Sequence, residues 1–263
     1  MRIAIVGAGV SGLTCGVVLG DAGHEVTIVA REIDDTTSHA AAAIWYPYHA
    51  GGAELEAWAE ATRDALVALC NVQDAGVSLI DFHVLGEGVL RVPLMDTTHY
   101  LPYLRGRFRG EIVQREVRSF DELADFDVTV NCAGFGAREL CDDGELTPGY
   151  GLAVVVDRPP IAHAVVHPDD PLMYVIPRTS DCILGGYDSA TPPHADQVNA
   201  IIARCRAAVP EVSGEIHGVR RGIRPVRTHV RLEREGRVIH NYGHGGAGFT
   251  LSWGCAAAVL RLL

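Results

Sequence analysis

The segment RIAIVGAGVSG at residues 2–12 constrains the fold more than any other part of this sequence. Four consecutive apolar residues predict a buried strand, and Gly7, Gly9 and Gly12 follow it with GxGxxG spacing. The next stretch, VSGLTCGVVLGDAG, has the pattern of a helix closed by Gly23, and HEVTIVARE predicts a second buried strand. Strand, glycine turn, helix and strand together make one βαβ unit.

The three glycines of this motif have separate expected functions. Gly7 would allow the tight turn after the strand, and Gly9 would let a pyrophosphate approach the backbone and the helix N-terminus. Gly12 would let helix and strand pack closely. Glycines that serve packing alone are the alternative, but the position between strand and helix favours a dinucleotide site.

The end of the second strand leaves the dinucleotide open. The motif predicts an acidic residue there to bind the adenine ribose, and Glu32 is the available acid. Arg31 precedes it and would suit a phosphate, which points to NADP. A flavin dinucleotide fits the same residues equally well.

The rest of the chain adds a second type of sheet. Apolar periodicity predicts a helix at 53–70, strands at 77–85 and 88–95, and a short helix at 99–108. Residues 127–141 repeat the strand, glycine turn and helix, and four short β-type runs at 149–188 predict an antiparallel sheet. A helix at 196–210, a strand at 236–243 and a final helix at 250–263 follow, whereas residues 33–52 have no regular pattern.

Composition limits the partners and the compartment. The net charge of -11 argues against binding to nucleic acid or an anionic membrane. The first twenty residues have the basic start and apolar run of a signal peptide, but their regularly spaced glycines favour the βαβ unit. No other segment has the ~18 uninterrupted apolar residues of a membrane span. An odd number of cysteines, seven, without CxxC indicates reduced thiols and a cytoplasmic protein.

The glycine-rich stretch HNYGHGGAGFTLSWGCA at residues 240–256 admits a metal site, a phosphate cradle or a plain turn. His240 and His244 have the spacing of paired zinc ligands on a helix. The intervening and following glycines disfavour a helix, however, so we expect no metal here and a hydrogen-bonding or packing function for the histidines.

Several motifs in order along the chain resemble the D-amino-acid oxidase family, which includes D-aspartate oxidases. They are VGAGVSGL, TTSHAAAAIWYPY, VNCAGFGAREL, YVIPR followed by LGG, RGIRPVRTHVRLERE and VIHNYGHGGAGFTLSWGCA. The resemblance extends from residue 1 to about residue 256. It implies FAD as the cofactor and oxidation of a D-amino acid to an imino acid, with O2 reduced to H2O2.

The resemblance also implies an α/β fold in which a Rossmann-type FAD-binding domain is interleaved with a smaller, mainly antiparallel β substrate domain. The expected FAD-binding domain comprises residues 1–48, 106–150 and 223–263, and the expected substrate domain 49–105 and 151–222. The positions that match FAD contacts are Gly7, Ala8, Gly9, Val10, Ser11, Gly12, Arg31, Glu32, Thr37, Ser38, Ala42, Ala43, Ile44, Val117, Cys132, Ala133, Gly134, Gly245, Gly246, Gly248, Phe249 and Thr250.

Three positions match the family's substrate contacts. Arg224 corresponds to the arginine that binds the α-carboxylate, Tyr174 to a tyrosine that contacts the same group, and the Gly246 carbonyl to the acceptor of the α-amine. A planar guanidinium suits a bidentate carboxylate. Hydride transfer from Cα to flavin N5 needs no protein base when the amine is neutral, so the protein contributes orientation and electrostatics.

The sequence departs from the family in its substrate domain. It is shorter between Tyr48 and Leu90, and Asp170 stands where a second tyrosine is usual. Glycine, sarcosine or a cyclic amino acid as substrate, a dehydrogenase, and a flavin-binding protein with a degenerate site therefore remain alternatives. The sequence leaves the oligomeric state open, a homodimer included. Positive charge that would favour an acidic side chain is available at Arg178, Arg221, Arg227 and His229.

Overall fold

The computed structural model describes residues 1–46, 53–169 and 171–263. Within these ranges, twelve strands form one mixed sheet in the order β4-β3-β8-β9-β10-β7-β11-β12-β6-β1-β2-β5. The strands are β1 (Arg2–Val6), β2 (Glu25–Ala30), β3 (Val77–Val84), β4 (Gly88–Met95), β5 (Glu111–Gln114), β6 (Val128–Asn131), β7 (Thr147–Asp157), β8 (His163–His167), β9 (Met173–Pro177), β10 (Asp181–Ser189), β11 (Ile216–Glu235) and β12 (Val238–His244).

Helices cover this sheet. They are α1 (Val10–Asp21), α2 (Thr37–Ala40), α3 (Ala53–Leu69), α4 (Thr97–Arg107), α5 (Ala137–Leu140), α6 (Asp196–Ala208) and α7 (Gly248–Arg261). Over the described residues, no helix has the length and apolarity needed to cross a bilayer.

The first half of the sheet is parallel and confirms the predicted βαβ unit. β1 lies between β2 and β6, and β5 and β12 extend it on either side, also in parallel. Helix α1 packs against α7, and most residues of α1 are buried. The largest apolar core lies here, because strands buried on both faces need continuous apolar residues.

The second half is mainly antiparallel, as expected. β7, β10, β9 and β8 are antiparallel neighbours, and β3 and β4 form an antiparallel pair that joins them. One pairing differs, since β3 and β8 run parallel. A separate apolar core lies between these strands and α6. The predicted α/β architecture with a second, β-rich part is therefore confirmed.

A single long strand, β11, joins the two halves. Residues from Ile216 to Val226 pair with β7, and residues from Val226 to Glu235 pair with β12. The sequence predicts no strand here, since arginines and other charged residues interrupt the apolar alternation. The domain boundaries expected at 150 and 222 fall within β7 and β11, and the division into two domains stays a prediction.

The segment predicted as irregular at 33–52 is held against both halves. It contains the short helix α2, and its residues 47–52, including the expected boundary at Tyr48, lie outside the described ones. Ala43 has a left-handed φ of 57°, and its carbonyl accepts a hydrogen bond of 2.9 Å from Met95 N. Ile44 forms a β-bridge with Leu94, so residues 42–46, called the strip below, run along β4.

Candidate active site

A cavity of about 1560 Å³ begins at the carboxyl ends of the parallel strands and extends across β7, β10 and β11. Open α/β sheets bind ligands at this edge. The cavity exceeds the ~300–1,000 Å³ of an ordinary small-molecule site, so it has room for a large ligand and a small one. Every residue that the sequence assigns to cofactor or substrate binding lines it, except Gly12.

Gly12 lies behind the loop and acts through packing. A Cβ at Gly12 would come 1.9 Å from the Gly7 carbonyl oxygen. A Cβ at Gly7 would come 2.3 Å from the Cys132 carbonyl oxygen. Gly7 also has a φ of 110°, which disfavours any other residue. A Cβ at Gly9 would have side-chain hydroxyls as its nearest neighbours, with Ser38 Oγ at 3.1 Å.

The N-terminus of α1 presents hydrogen-bond donors to this end of the cavity. Val10 N donates to Ser38 Oγ at 3.0 Å, which connects α1 to α2. Thr37 Oγ1 donates to the Ile223 carbonyl at 3.1 Å and connects α2 to β11. Backbone N–H groups at a helix start, next to hydroxyls, are suited to a diphosphate.

Acidic residues surround the guanidinium of Arg31. Arg31 Nε lies 3.8 Å from a Glu32 oxygen, and Arg31 Nη1 lies 3.4 Å from Glu116 Oε1. All three side chains are largely exposed, so these ion pairs are weak. Glu116 also binds Arg118, whose Nη2 lies 3.0 Å from Glu116 Oε2, so both signs of charge are present here. Val117 lies nearby on the same wall.

Two glycine turns line the cavity with backbone that has little side-chain cover. Gly134, beside the Gly7 turn, and Gly245, before α7, have positive φ of 58° and 54°, and a Cβ at either would meet no atom within 4 Å. Gly245 N donates to the Pro225 carbonyl at 2.8 Å, which holds the loop before α7 on β11. Gly246 is exposed, and its carbonyl accepts no hydrogen bond from the described residues.

The start of α7 is joined to the strip at residues 42–46. Thr250 Oγ1 donates to the Tyr46 carbonyl at 3.0 Å and accepts from Tyr46 N at 3.3 Å. Gly248, Phe249, Ala42 and Ile44 line the cavity beside this connection. The bare loop and the strip are thus opposite sides of one slot.

Arg224 extends from β11 across β7 towards β10. Its Nη1 donates to the carbonyls of Tyr150 and Tyr187, each at 3.3 Å, and to Asp188 Oδ1 at 3.1 Å. Nε and Nη2 make no hydrogen bond to any described residue. The side chain is 19% exposed, so this free edge faces the cavity.

Tyr174 lies on β9, the strand beyond β10, and its ring is close enough to Arg224 for the cation to influence it. A Cβ at Gly185 would lie 1.8 Å from Tyr174 Cζ, so the ring rests on this glycine. Burial raises the pKa of the Tyr174 phenol, although the Arg224 cation opposes the increase. The hydroxyl is therefore a neutral donor, and among the described residues it has no hydrogen-bond partner.

The two histidines of the glycine-rich stretch are hydrogen-bonded to neighbouring side chains, and His244 also lines the cavity. His240 is 3% exposed and lies between Asn131 Nδ2 at 3.3 Å and Glu235 Oε2 at 3.2 Å. His244 Nε2 lies 3.1 Å from Asn241 Oδ1, and burial lowers the pKa of His244 to about 4. Both contacts serve the packing of β12. In the described part of the chain, no three potential metal ligands form a group.

The basic residues that would favour an acidic substrate are dispersed. Arg178 does not line the cavity and is bound to Asp181 Oδ1 at 2.6 Å. Arg227 is paired with Asp143 at 3.1 Å and Glu145 at 2.8 Å. Arg221 and His229 line the cavity but are exposed. The wall near Tyr174 is instead apolar, formed by Tyr46, Phe82, Val166, Leu172 and Ile176.

Sequence reasoning missed Asp188 and Gly151. Asp188 is the acceptor for Arg224, and Gly151 is the point where that arginine crosses β7, since a Cβ there would lie 2.9 Å from Arg224 Cζ. Two signals were available in the sequence. Asp188 is the acid that ends the apolar run CILGGYD, and Gly151 belongs to the GYG at 149–151. Asp170, predicted to replace a second tyrosine, lies outside the described residues.

The residues present fit FAD. The bare glycine backbone that lines the cavity and the donors at the start of α1 match a flavin dinucleotide and its diphosphate. The remaining space near Arg224 and Tyr174 is sufficient for an amino acid, given the cavity of about 1560 Å³.

Comparison with known proteins agrees with this assignment. Residues 2–109 and 87–262 match the DAO family, described as FAD dependent oxidoreductase. The chain is 36% identical to a D-amino-acid oxidase of Rubrobacter xylanophilus, with coverage of 99% of this chain and 95% of the relative. It is also 36% identical to the D-amino-acid oxidase of Streptomyces coelicolor, over 99% and 96%.

Among solved structures, glycine oxidase from Geobacillus kaustophilus has the same fold, with a TM-score of 0.79 at 17% identity over 99% of this chain and 94% of that one. The alignment with the Rubrobacter relative spans 316 positions, more than the 263 residues of this chain, so the relative contains residues that this chain lacks. The chain belongs to the DAO family of FAD-dependent oxidoreductases.

Proposed function

We propose that this enzyme oxidises D-amino acids to imino acids, with O2 reduced to H2O2. The observation that carries the proposal is the free Nε–Nη2 edge of Arg224, which lines the same cavity as Tyr174 and Gly246. Relatives at 36% identity over nearly the whole chain are D-amino-acid oxidases, which supports the same substrate class here.

Bound FAD would supply the redox chemistry, namely uptake of a hydride from the substrate Cα and delivery of two electrons to O2. The loop from Gly7 to Ser11, with Ser38 and Thr37, would hold its diphosphate, and Glu32 its adenine ribose. Residues 42–44 of the strip and the loop at 245–250 would hold the ring system of FAD between them.

Three groups of this chain would position the substrate. Arg224 would bind both carboxylate oxygens through Nε and Nη2, and the Tyr174 hydroxyl would donate to one of them. The Gly246 carbonyl would accept from the α-amine. Because these contacts fix the carboxylate and the amine, they determine which face of Cα points towards the cofactor, and hence which enantiomer reacts.

Two side chains of the cavity that could accept a proton are already bound to other groups. Asp188 is paired with Arg224, and His244 Nε2 lies 3.1 Å from Asn241 Oδ1. The protein would therefore contribute orientation and exclusion of water, and the amine would lose its proton before the redox step.

The wall of the side-chain subsite supports a preference for apolar or aromatic D-amino acids. Phe82 packs edge-to-face on Tyr46 at 5.2 Å, and both line the cavity together with Leu172 and Ile176. An acidic side chain would meet this wall without a paired cation, because Arg178 and Arg227 are already bound to carboxylates.

The cysteines support a reducing compartment, and we include the cytoplasm in the proposal. All seven thiols are free, and five of them are buried.

The test is peroxide formation by the FAD-loaded enzyme with a panel of D- and L-amino acids, glycine, sarcosine and proline. We expect activity with apolar D-amino acids and none with their L-enantiomers. Equal rates with L-forms would refute the stereochemical proposal, and activity restricted to glycine or sarcosine would replace it with the corresponding amine oxidase. Flavin reduction without peroxide would indicate a dehydrogenase.

A further inference from the structure

We propose that Asp188 is the positioning residue of Arg224, holding Nη1 so that the Nε–Nη2 edge remains free for the substrate carboxylate. This inference rests on the proposed function, in which Arg224 binds that carboxylate. Asp188 would act through the arginine and would not contact the reacting atoms.

The contact pattern separates positioning from competition. A carboxylate that competed with substrate would occupy the bidentate Nε–Nη2 edge of the guanidinium. Asp188 Oδ1 instead contacts Nη1, at 3.1 Å, on the side already bound by two carbonyl oxygens. All three acceptors lie on one nitrogen, so they orient the planar group and leave its other edge open.

The backbone beneath Arg224 is shaped for this crossing. In the sheet register, Arg224 is paired with Gly149, and Gly151 is paired with Asp188 on the other side of β7. A Cβ at Gly151 would lie 2.9 Å from both Cζ and Nη1 of Arg224. Any side chain at this position would therefore lift the guanidinium away from Asp188.

The glycine loop lies next to the other part of the arginine. A Cβ at Gly246 would be 3.7 Å from Arg224 Cδ and 3.8 Å from Nε, whereas Nη1 binds Asp188. Nε, one end of the free edge, therefore lies close to this loop. With Asp188 absent, the guanidinium loses the one charged partner that it has among the described residues, and the flexible arginine gains alternative rotamers.

The experiment compares Asp188→Ala and Asp188→Asn with the wild-type FAD-loaded enzyme. We expect Asp188→Ala to raise KM for an apolar D-amino acid about ten- to a hundredfold, as for loss of a charge-assisted hydrogen bond. The dissociation constant of benzoate, a carboxylate that cannot be oxidised, should rise by a similar factor. kcat should change less than KM, and the FAD content should stay the same.

Asp188→Asn keeps an acceptor at the same place without the charge, so its KM should fall between those of the wild type and Asp188→Ala. If Asp188→Ala does not fold, the Asn variant decides the question, since an unchanged KM and benzoate affinity would then overturn the proposal. Asp81→Ala is the matched control, because Asp81 forms an exposed 2.9 Å ion pair with Arg91 outside the cavity.

Two results would overturn the positioning role. A lower KM in Asp188→Ala would show that Asp188 competes with substrate, and unchanged KM and benzoate affinity would show that Arg224 needs no such partner. Arg224→Ala separates this failure from failure of the proposed function. If Arg224→Ala loses substrate binding while Asp188→Ala does not, only the inference fails, and if neither loses it, the proposed function fails as well.

Discussion

The packing of Gly12 against Gly7 provides a severe test of how this chain forms its cofactor site. In Gly12→Ala, the new Cβ would lie 1.9 Å from the Gly7 carbonyl oxygen and 2.9 Å from the carbonyl carbon, both backbone atoms. Helix α1 would have to move away by about 1 Å, and a close-packed core resists such a displacement. The backbone amides in the first turn of α1 would then be misplaced relative to the loop that would bind the diphosphate.

Overpacking of this kind costs about 1–3 kcal/mol, and sometimes more. If that strain is relieved by moving α1 out of register with the diphosphate, the dissociation constant for FAD should rise roughly 5- to 150-fold. The assay is titration of the apoprotein with FAD, followed by flavin fluorescence, together with the FAD content of the purified protein and its thermal melting temperature.

Gly20→Ala is the control on the same helix. A Cβ at Gly20 would meet no atom within 4 Å, and alanine stabilises a helix interior by about 0.5–1 kcal/mol relative to glycine. This variant should bind FAD normally and melt about 1–4 °C higher. Wild-type FAD affinity and melting temperature in Gly12→Ala would refute the packing argument.

Three further predictions concern the substrate site and stability. Arg224→Ala should lose about 2–5 kcal/mol of transition-state stabilisation, which lowers kcat/KM roughly 30- to 5,000-fold, and should retain FAD. Steady-state kinetics that match the wild type would contradict this. Gly185→Ala would place a Cβ 1.8 Å from Tyr174 Cζ, so KM should rise while FAD content stays constant; an unchanged KM would show that the ring position is unimportant. The pKa of His244 falls from 6.5 to about 4 in the folded protein, so the unfolded chain binds the extra proton between these values. The free energy of unfolding should therefore decrease as the pH falls through this window, by at most about 1.4 kcal/mol per pH unit. Denaturant titrations at several pH values should show a smaller pH dependence in His244→Gln. An unchanged pH dependence would assign the effect to another group.

Local patterns predicted the parallel half of the fold well. The run RIAIV, the glycine spacing and the helix closed by Gly23 act over short distances, so sequence and structure agree from Arg2 to Ala30. The mainly antiparallel runs between 149 and 188 were predicted for the same reason.

Strand β11 could not be predicted in this way. Two of its arginines pair with carboxylates that are distant in the sequence, Arg224 with Asp188 and Arg227 with Asp143. Apolar periodicity carries no record of such pairs, and the strand pairs with a different neighbour in each half. The resemblance identified Arg224, but only the fold shows which of its nitrogens remain free.

Anaerobic mixing of the FAD-loaded enzyme with one amino acid in both enantiomeric forms tests the central claim most directly. Bleaching of the flavin absorbance reports transfer of electrons from the substrate without involvement of O2. The proposed function predicts rapid bleaching by the D-form of an apolar amino acid, none by the L-form, and bleaching by the D-form that is roughly 30- to 5,000-fold slower in Arg224→Ala at the same low concentration. Equal bleaching by both enantiomers, or wild-type bleaching in the variant, would contradict it.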